Sequence, residues 1–259
     1  MEINEKIIQL HEDLIGFGSN IQAKSAKRME EKIHINENIY IVLNKSMAYA
    51  ITLHRAMKSL CEDGWAHVSP ILLRTLLESS ANCLAVDKDE YPEYMAFKFL
   101  YHPYVKSLRE NRTSDELREE ARREIALGLE KISNEEEIAK AEEFISWDRI
   151  PIFWFQPEKN SVTSIINEYG GEEMKFIYKI LSSSVHAGHF GMFLFREDSD
   201  DININPAENP KKAEFVLMAS NRYLLEFYNI RNQTEGLEFD EEYQDFLDRI
   251  LSLETEIRG

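Results

Sequence analysis

Residues 71–86 read "ILLRTLLESSANCLAV", and this stretch is the clearest indication of the fold class. Its apolar side chains recur at intervals of three and four residues, which is the period of an amphipathic α-helix. The 259 residues include only 10 glycines and 7 prolines, and most of these lie between long periodic segments. The sequence therefore predicts an all-α protein rather than a fold of many short strands.

The helical period recurs along the chain, with interruptions at "GFGSN" (16–20), "EDG" (62–64) and "WDRIPIFWFQP" (147–157). We expect a single multi-helix bundle domain. Within it, residues 1–35 are expected to form an N-terminal helical extension, 36–232 the helical core, and 233–259 an acidic C-terminal helix packed on the core. The third interruption is expected to be an ordered loop in which Phe153, Trp154 and Phe155 pack against helices.

The charge balance argues against a broad nucleic-acid-binding surface. The formal net charge is −17, from 47 acidic and 30 basic residues, whereas proteins that neutralise many phosphates usually carry a basic surplus. No apolar run approaches the roughly 18 residues of a membrane helix, and the N-terminus lacks the pattern of a secretion signal. We therefore expect a cytoplasmic protein with no membrane partner, in which Cys61 and Cys83 are reduced.

Two charged residues lie on the apolar helix of residues 71–86. Ile71, Arg74, Glu78, Ala81 and Ala85 follow steps of three and four residues and share one stripe of that helix. Burying charge is costly unless each group finds a partner. We therefore expect Arg74 and Glu78 to meet polar groups on a neighbouring helix.

The stretch "YKILSSSVHAGHFG" (178–191) supplies such groups. Tyr178, Ser182 and His186 recur at every fourth residue and form one polar stripe. His189 extends the same side if the helix continues through Gly188. We expect the two helices to pack together and to assemble these side chains with the Arg74–Glu78 pair.

The residue types in this cluster suit acid–base chemistry on an anionic substrate. Histidine titrates near neutral pH, and arginine stabilises phosphate or another anionic oxygen. We predict that His186, Arg74 and Glu78 are catalytic and that Tyr178, Ser182 and His189 bind substrate. The alternative is equally open at this point, because a buried histidine held by polar groups can simply fix the packing of two helices.

Metal binding is an alternative role for the same residues. His186 and His189 are three residues apart, and His54 and Glu78 can approach from adjacent helices. Helical di-iron proteins, however, use a pair of Glu-x-x-His motifs in an arrangement that this sequence lacks. Arg74, one turn before Glu78, would also repel a cation. We expect no metal ion and no other cofactor.

At these positions the chain resembles a bacterial all-helical family of unknown function. That family has an Arg-x-Leu-x-Glu-like helix and a later helix with an aromatic-x-x-x-Ser-x-x-x-His pattern. The matching residues are Arg74, Leu76 and Glu78, followed by Tyr178, Ser182 and His186. The resemblance spans roughly residues 40 to 232, and it implies a helical fold and a shared polar cluster without an established activity.

A more distant similarity is to the HEPN class of helical toxins and phage-defence ribonucleases. Members carry an arginine followed by a histidine after four to six residues, and the one formal match is Arg28 to His34, outside the better-matching region. We expect a protein of phage-defence or toxin type that acts on RNA or a nucleotide without a metal. The alternative is a non-enzymatic regulatory or scaffold protein, and either form can have a homo-oligomeric or protein partner.

Overall fold

The computed structural model describes residues 3–31, 35–110, 113–148, 150–151, 153–155, 161–185 and 210–258. Within these ranges the chain forms ten α-helices and no β-strand, which confirms the all-α fold class. The helices are α1 (Glu5–Glu30), α2 (Glu37–Glu62), α3 (Ser69–Lys88), α4 (Pro92–Arg109), α5 (Asp115–Leu129), α6 (Glu135–Ser146), α7 (Val162–Tyr169), α8 (Glu172–Val185), α9 (Pro210–Glu235) and α10 (Asp240–Arg258). In the described part of the chain, every helix is too short or too polar to cross a membrane.

The two short charged helices, α5 and α6, begin at side chains that cap them. Ser114 accepts a hydrogen bond from the backbone N–H of Leu117, and Asn134 accepts from those of Glu136 and Glu137. Acidic side chains occupy both first turns, where they interact favourably with the positive end of the helix dipole. These caps fix the start of each helix.

The first helix differs from the sequence prediction. The glycines of "GFGSN" do not interrupt it, and α1 is continuous from Glu5 to Glu30. Gly18 lies against the ring of Tyr228, since a Cβ at this position would lie 2.7 Å from Tyr228 Cζ and closer still to the hydroxyl oxygen. Gly18 is therefore required for the close approach of a side chain and does not end the helix.

The chain divides into two compact units that alternate along the sequence. The first unit comprises Met1–Arg28, Ser46–Ser80 and Gly171–Gly259, and the second comprises Met29–Lys45 and Ala81–Gly170. Helices α2 and α3 therefore contribute residues to both units. The division of the sequence at residues 35 and 232 follows other boundaries and stays a prediction.

In the first unit, α1 and α9 run parallel to each other in a fixed register. His11 Nδ1 lies 2.8 Å from Asn221 Oδ1 near one end, and Arg231 Nη2 donates to Ser25 Oγ at 2.5 Å near the other. The residue numbers increase together along both helices. The two contacts therefore establish the parallel direction, with an offset of 210 residues at the first pair.

Helix α2 runs antiparallel to this pair. Arg231 Nη1 lies 2.9 Å from the sulfur of Met47, whereas His54 Nδ1 lies 2.6 Å from Ser220 Oγ. Here the residue number on α9 falls as the number on α2 rises. The interior of the first unit therefore contains polar side chains from α1, α2 and α9 in addition to buried apolar ones.

The core of the second unit is built mainly from α4, α5 and α6. Its buried members are Phe97, Tyr101, Val105, Ile125, Ile132, Ala141 and Phe144. The predicted aromatic loop packs as expected, since Trp154 and Phe155 are buried and Trp154 Nε1 donates to Asn82 Oδ1 at 3.2 Å. The buried amine of Lys98 donates to the backbone carbonyl of Phe155. A helix side chain therefore holds the loop in place.

The two glycines of α1 give a matched test of this packing. Gly18→Ala should lower the free energy of unfolding by about 1–3 kcal/mol, because the ring of Tyr228 is rigid and must shift. Gly16→Ala should raise it by up to about 1 kcal/mol, because nothing lies within 4 Å of the added Cβ and alanine favours helix. Urea denaturation of both variants measures the difference. Equal changes in the two variants would contradict the assigned packing of α1.

Candidate functional site

Arg74 and Glu78 form an ion pair on α3. Arg74 Nε donates to Glu78 Oε1 at 2.9 Å, and the two side chains are 20% and 28% exposed. A pair in this order, with arginine first, gives an isolated helix little support. Since both charges are largely withdrawn from water, a further partner is needed to offset their loss of hydration.

Tyr178 of α8 is that partner. Its hydroxyl accepts a hydrogen bond from Arg74 Nη2 at 3.2 Å and donates one to Glu78 Oε1 at 3.0 Å. The guanidinium carbon lies 5.2 Å from the centre of the tyrosine ring, within the range of a cation–π interaction. The three side chains form a closed triangle of hydrogen bonds between α3 and α8.

The triangle holds Arg74 in its charged form and leaves some of its N–H donors available for another partner. Burial opposes the charge on Arg74, but the hydrogen bonds with Glu78 and Tyr178 outweigh burial and raise its pKa. A guanidinium carries five N–H donors, and the contacts with Glu78 and Tyr178 use two of them. Among the described residues, the other three have no acceptor and remain for solvent or an anion.

Ser182 lies one helical turn beyond Tyr178 on α8. Its hydroxyl oxygen is buried and has no hydrogen-bond partner within the described ranges. An unpartnered buried hydroxyl costs about 1–3 kcal/mol. Ser182 is therefore a polar group still in need of a partner, on the same stripe of α8 as Tyr178.

Two of the six predicted site residues, His186 and His189, lie outside the described residues. Of the other four, the structure brings together Arg74, Glu78 and Tyr178 and places Ser182 one turn further along α8. The catalytic and binding roles of all six residues stay predictions. Of the Arg28–His34 match, Arg28 donates to the carbonyl of Gly236, and His34 is again outside the described residues.

A second polar cluster, in the core of the first unit, was not predicted from the sequence. The rings of His11 and His54 stack with their centres 3.3 Å apart and 7° between their planes. His11 Nε2 bonds to the carbonyl of His54 at 2.9 Å, and His54 Nε2 lies 3.4 Å from the carbonyl of His11. Asn221 and Ser220 of α9 contact the two Nδ1 atoms.

The pairing of the two histidines also bears on metal binding. His54 is, with Glu78, one of the candidate metal ligands in the sequence, but both of its ring nitrogens have hydrogen-bond partners. The described part of the chain contains no group of three His, Cys, Asp or Glu side chains that is able to hold a metal ion. For His186 and His189, the absence of a metal stays a prediction.

Burial lowers the pKa of His11 to about 4 and also lowers that of His54. An unfolded histidine has a pKa near 6.5, so the unfolded chain binds more protons between pH 6.5 and 4, and stability falls as the pH falls through this window. For His11 alone the loss should approach about 3 kcal/mol. Urea denaturation at several pH values should show a flatter profile for His11→Gln than for the wild type. Parallel profiles would contradict this prediction.

The contribution of the triangle can be measured with a double-mutant cycle. Tyr178→Phe should lower the free energy of unfolding by about 1–3 kcal/mol, because it removes two hydrogen bonds to charged groups. The same change should cost less in a Glu78→Ala background, since one bond is already absent. Tyr49→Phe is the control, because Tyr49 is 50% exposed. Additive effects of the Tyr178 and Glu78 substitutions would show that the two side chains are not coupled.

No curated protein and no solved structure matches the chain. A sequence profile of DUF5677, a family of unknown function, matches residues 40–203, which is more than half of the chain and includes the triangle and Ser182. The range ends before α9 and begins after α1, so Ser220, Asn221 and His11 lie outside it. The chain belongs to the DUF5677 family of unknown function.

Proposed function

We propose that the protein is a metal-independent enzyme of the phage-defence or toxin type that acts on RNA or a nucleotide. Its substrate-facing side is the Arg74–Glu78–Tyr178 triangle. The substrate class is the one expected from the distant resemblance to HEPN ribonucleases, and an arginine suits the phosphate that RNA and nucleotides share. Membership of a family of unknown function neither favours nor opposes the proposal.

The observation that carries the proposal is the state of Arg74. Its guanidinium is held from two sides, by Glu78 and Tyr178, yet the side chain is 20% exposed and keeps three N–H donors without an acceptor among the described residues. A fixed arginine with free donors matches the oxygens of a phosphate in charge and geometry. Because its orientation is set in advance, little side-chain entropy is lost on binding.

The remaining roles are assigned from the sequence and from chemistry. His186 acts as the acid–base group: it takes the proton from the hydroxyl that attacks phosphorus and returns it to the oxygen that leaves as its own P–O bond breaks. Arg74 stabilises the negative charge that develops on the phosphoryl oxygens, while Glu78 and Tyr178 position it. Ser182 and His189 contact the substrate. Glu78, already engaged by Arg74 and Tyr178, is better suited to positioning than to proton transfer.

The overall charge limits how substrate is bound. A net charge of −17 repels a long polyanion, so we propose that recognition is local and involves a nucleotide or a short single-stranded segment. We also propose a cytoplasmic location, in keeping with the two cysteines, Cys61 and Cys83, which are buried and not joined in a disulfide. A homo-oligomer or a protein partner stays a prediction.

The second candidate is a regulatory or scaffold protein, and a specific observation favours it. Glu78 compensates the charge of Arg74 at 2.9 Å, so the cluster is electrically balanced without a ligand. In this case Tyr178 would only fix how α8 packs on α3, and Arg74 would have no function beyond that packing.

Arg74→Gln and His186→Ala separate the two candidates. In an enzyme, each change should reduce cleavage of RNA or turnover of nucleotides by at least about 100-fold, since each removes a charge or proton-transfer contribution. The melting temperature of His186→Ala should change little. Activity and melting temperature are to be measured on the same purified samples, with chelator present throughout.

Arg122→Gln is the matched control, because Arg122 is 62% exposed and, within the described residues, pairs with Glu119 one turn earlier on its own helix. It should retain full activity. A wild-type protein without activity towards either substrate class, combined with a lowered melting temperature in Arg74→Gln, would favour the scaffold.

A further inference from the structure

If His11 is neutral, its contact with Asn221 would bring two hydrogen-bond acceptors together. His11 Nε2 faces the carbonyl oxygen of His54 at 2.9 Å, and a carbonyl oxygen only accepts, so Nε2 must carry a proton. In a neutral imidazole the other nitrogen, Nδ1, is then an acceptor. It lies 2.8 Å from Asn221 Oδ1, which is also an acceptor.

Two arrangements remove this conflict, and both fit the same positions of the heavy atoms. If His11 is neutral, the side-chain amide of Asn221 rotates by half a turn, so that Nδ2–H donates to His11 Nδ1. If His11 is protonated, Nδ1–H donates to Oδ1 in the orientation described. In that orientation Asn221 Nδ2 is buried without a partner among the described residues. In the rotated form the amide oxygen takes that buried position instead, and an unpaired carbonyl oxygen is less costly than an unpaired N–H.

The stacked ring of His54 sets how many protons the pair accepts. Two imidazolium rings with centres 3.3 Å apart in a buried site would repel each other strongly. The charged groups that act on the pair are Glu12 on α1, which favours a proton on His11, and Lys58 and Arg55 on α2, which oppose a proton on His11 and His54 respectively. Helix α9 contributes only the neutral Ser220 and Asn221 to these contacts. His11 is therefore the member of the pair that takes the single proton.

We propose that His11 and Asn221 form a proton-coupled amide switch, in which proton uptake at His11 Nδ1 and rotation of the Asn221 amide occur together. The proton comes from solvent and adds to the ring nitrogen, and no covalent bond between heavy atoms changes. The hydrogen bond between α1 and α9 is kept in both states with donor and acceptor exchanged. The core thus responds to acid with a defined two-state change before the helices separate.

Asn221→Asp tests the switch because a carboxylate accepts hydrogen bonds and has no N–H to donate. The variant should hold His11 in its protonated form, so that its pKa rises from about 4 to above 6.5, a gain in proton affinity of roughly 300-fold or more. Long-range proton–nitrogen NMR spectra of the histidine rings report the protonation of each nitrogen. Ser220→Ala is the matched control, because Ser220 contacts the other ring, and it should leave the titration of His11 unchanged.

The wild-type protein also tests the proposed switch, so the test does not depend on whether Asn221→Asp folds. At pH 7 the spectra should show His11 protonated at Nε2 alone, with the Asn221 amide donating to Nδ1. On acidification His11 should take up a proton before unfolding, with a change in the amide signals of Asn221 at the same pH. The proposal is overturned by a proton on Nδ1 at pH 7, by amide signals that do not follow the titration, or by an aspartate variant that titrates like the wild type.

Discussion

The buried ion pair between Arg231 and Glu235 is the constraint on which the first unit depends. Both side chains are fully buried, with Nε and Oε1 2.7 Å apart, and Arg231 also reaches Ser25 of α1 and Met47 of α2. Removing one partner of a buried pair costs about 3–5 kcal/mol, because the other charge is left uncompensated. A slip of α1 or α2 along α9 would separate Arg231 from Ser25 or Met47, so this one arginine fixes the register of three helices.

Register on α9 in turn positions the helix that carries Tyr178. Arg222, next to Asn221, bonds Glu173 of α8 at 2.8 Å and Glu254 of α10 at 3.2 Å. The packing that sets the histidine stack therefore also sets the start of α8. Tyr178 lies little more than one turn further along α8, where its hydroxyl reaches α3. The candidate site thus depends on α9, although none of the site residues belongs to α9.

Local patterns allowed much of this arrangement to be predicted, and long-range contacts account for the rest. The caps at Ser114 and Asn134 and the polar stripe of Arg74 and Glu78 are visible within a few residues of sequence. The continuity of α1 is not, because the ring that requires Gly18 comes from Tyr228, far along the chain. His11, Gly18 and Ser25 are seven residues apart, as are Asn221, Tyr228 and Glu235. The shared spacing of seven residues indicates a contact only once α1 and α9 are known to pack together. The sequence alone therefore contained no motif from which the buried histidine pair could be predicted.

The two arginine clusters of the first unit provide an internal comparison. Arg231 is fully buried, and each of its three nitrogens has a partner in Glu235, Met47 or Ser25. That is the arrangement expected of an arginine whose role is to fix packing. Arg74 makes the same type of pair with a glutamate four residues later, yet it is partly exposed and its Nη1 has no acceptor among the described residues. If specifying helix register were its only role, full burial and full bonding would serve better, as they do at Arg231. The difference between the two arginines is therefore the physical reason for proposing, rather than packing alone, a ligand-binding role for Arg74.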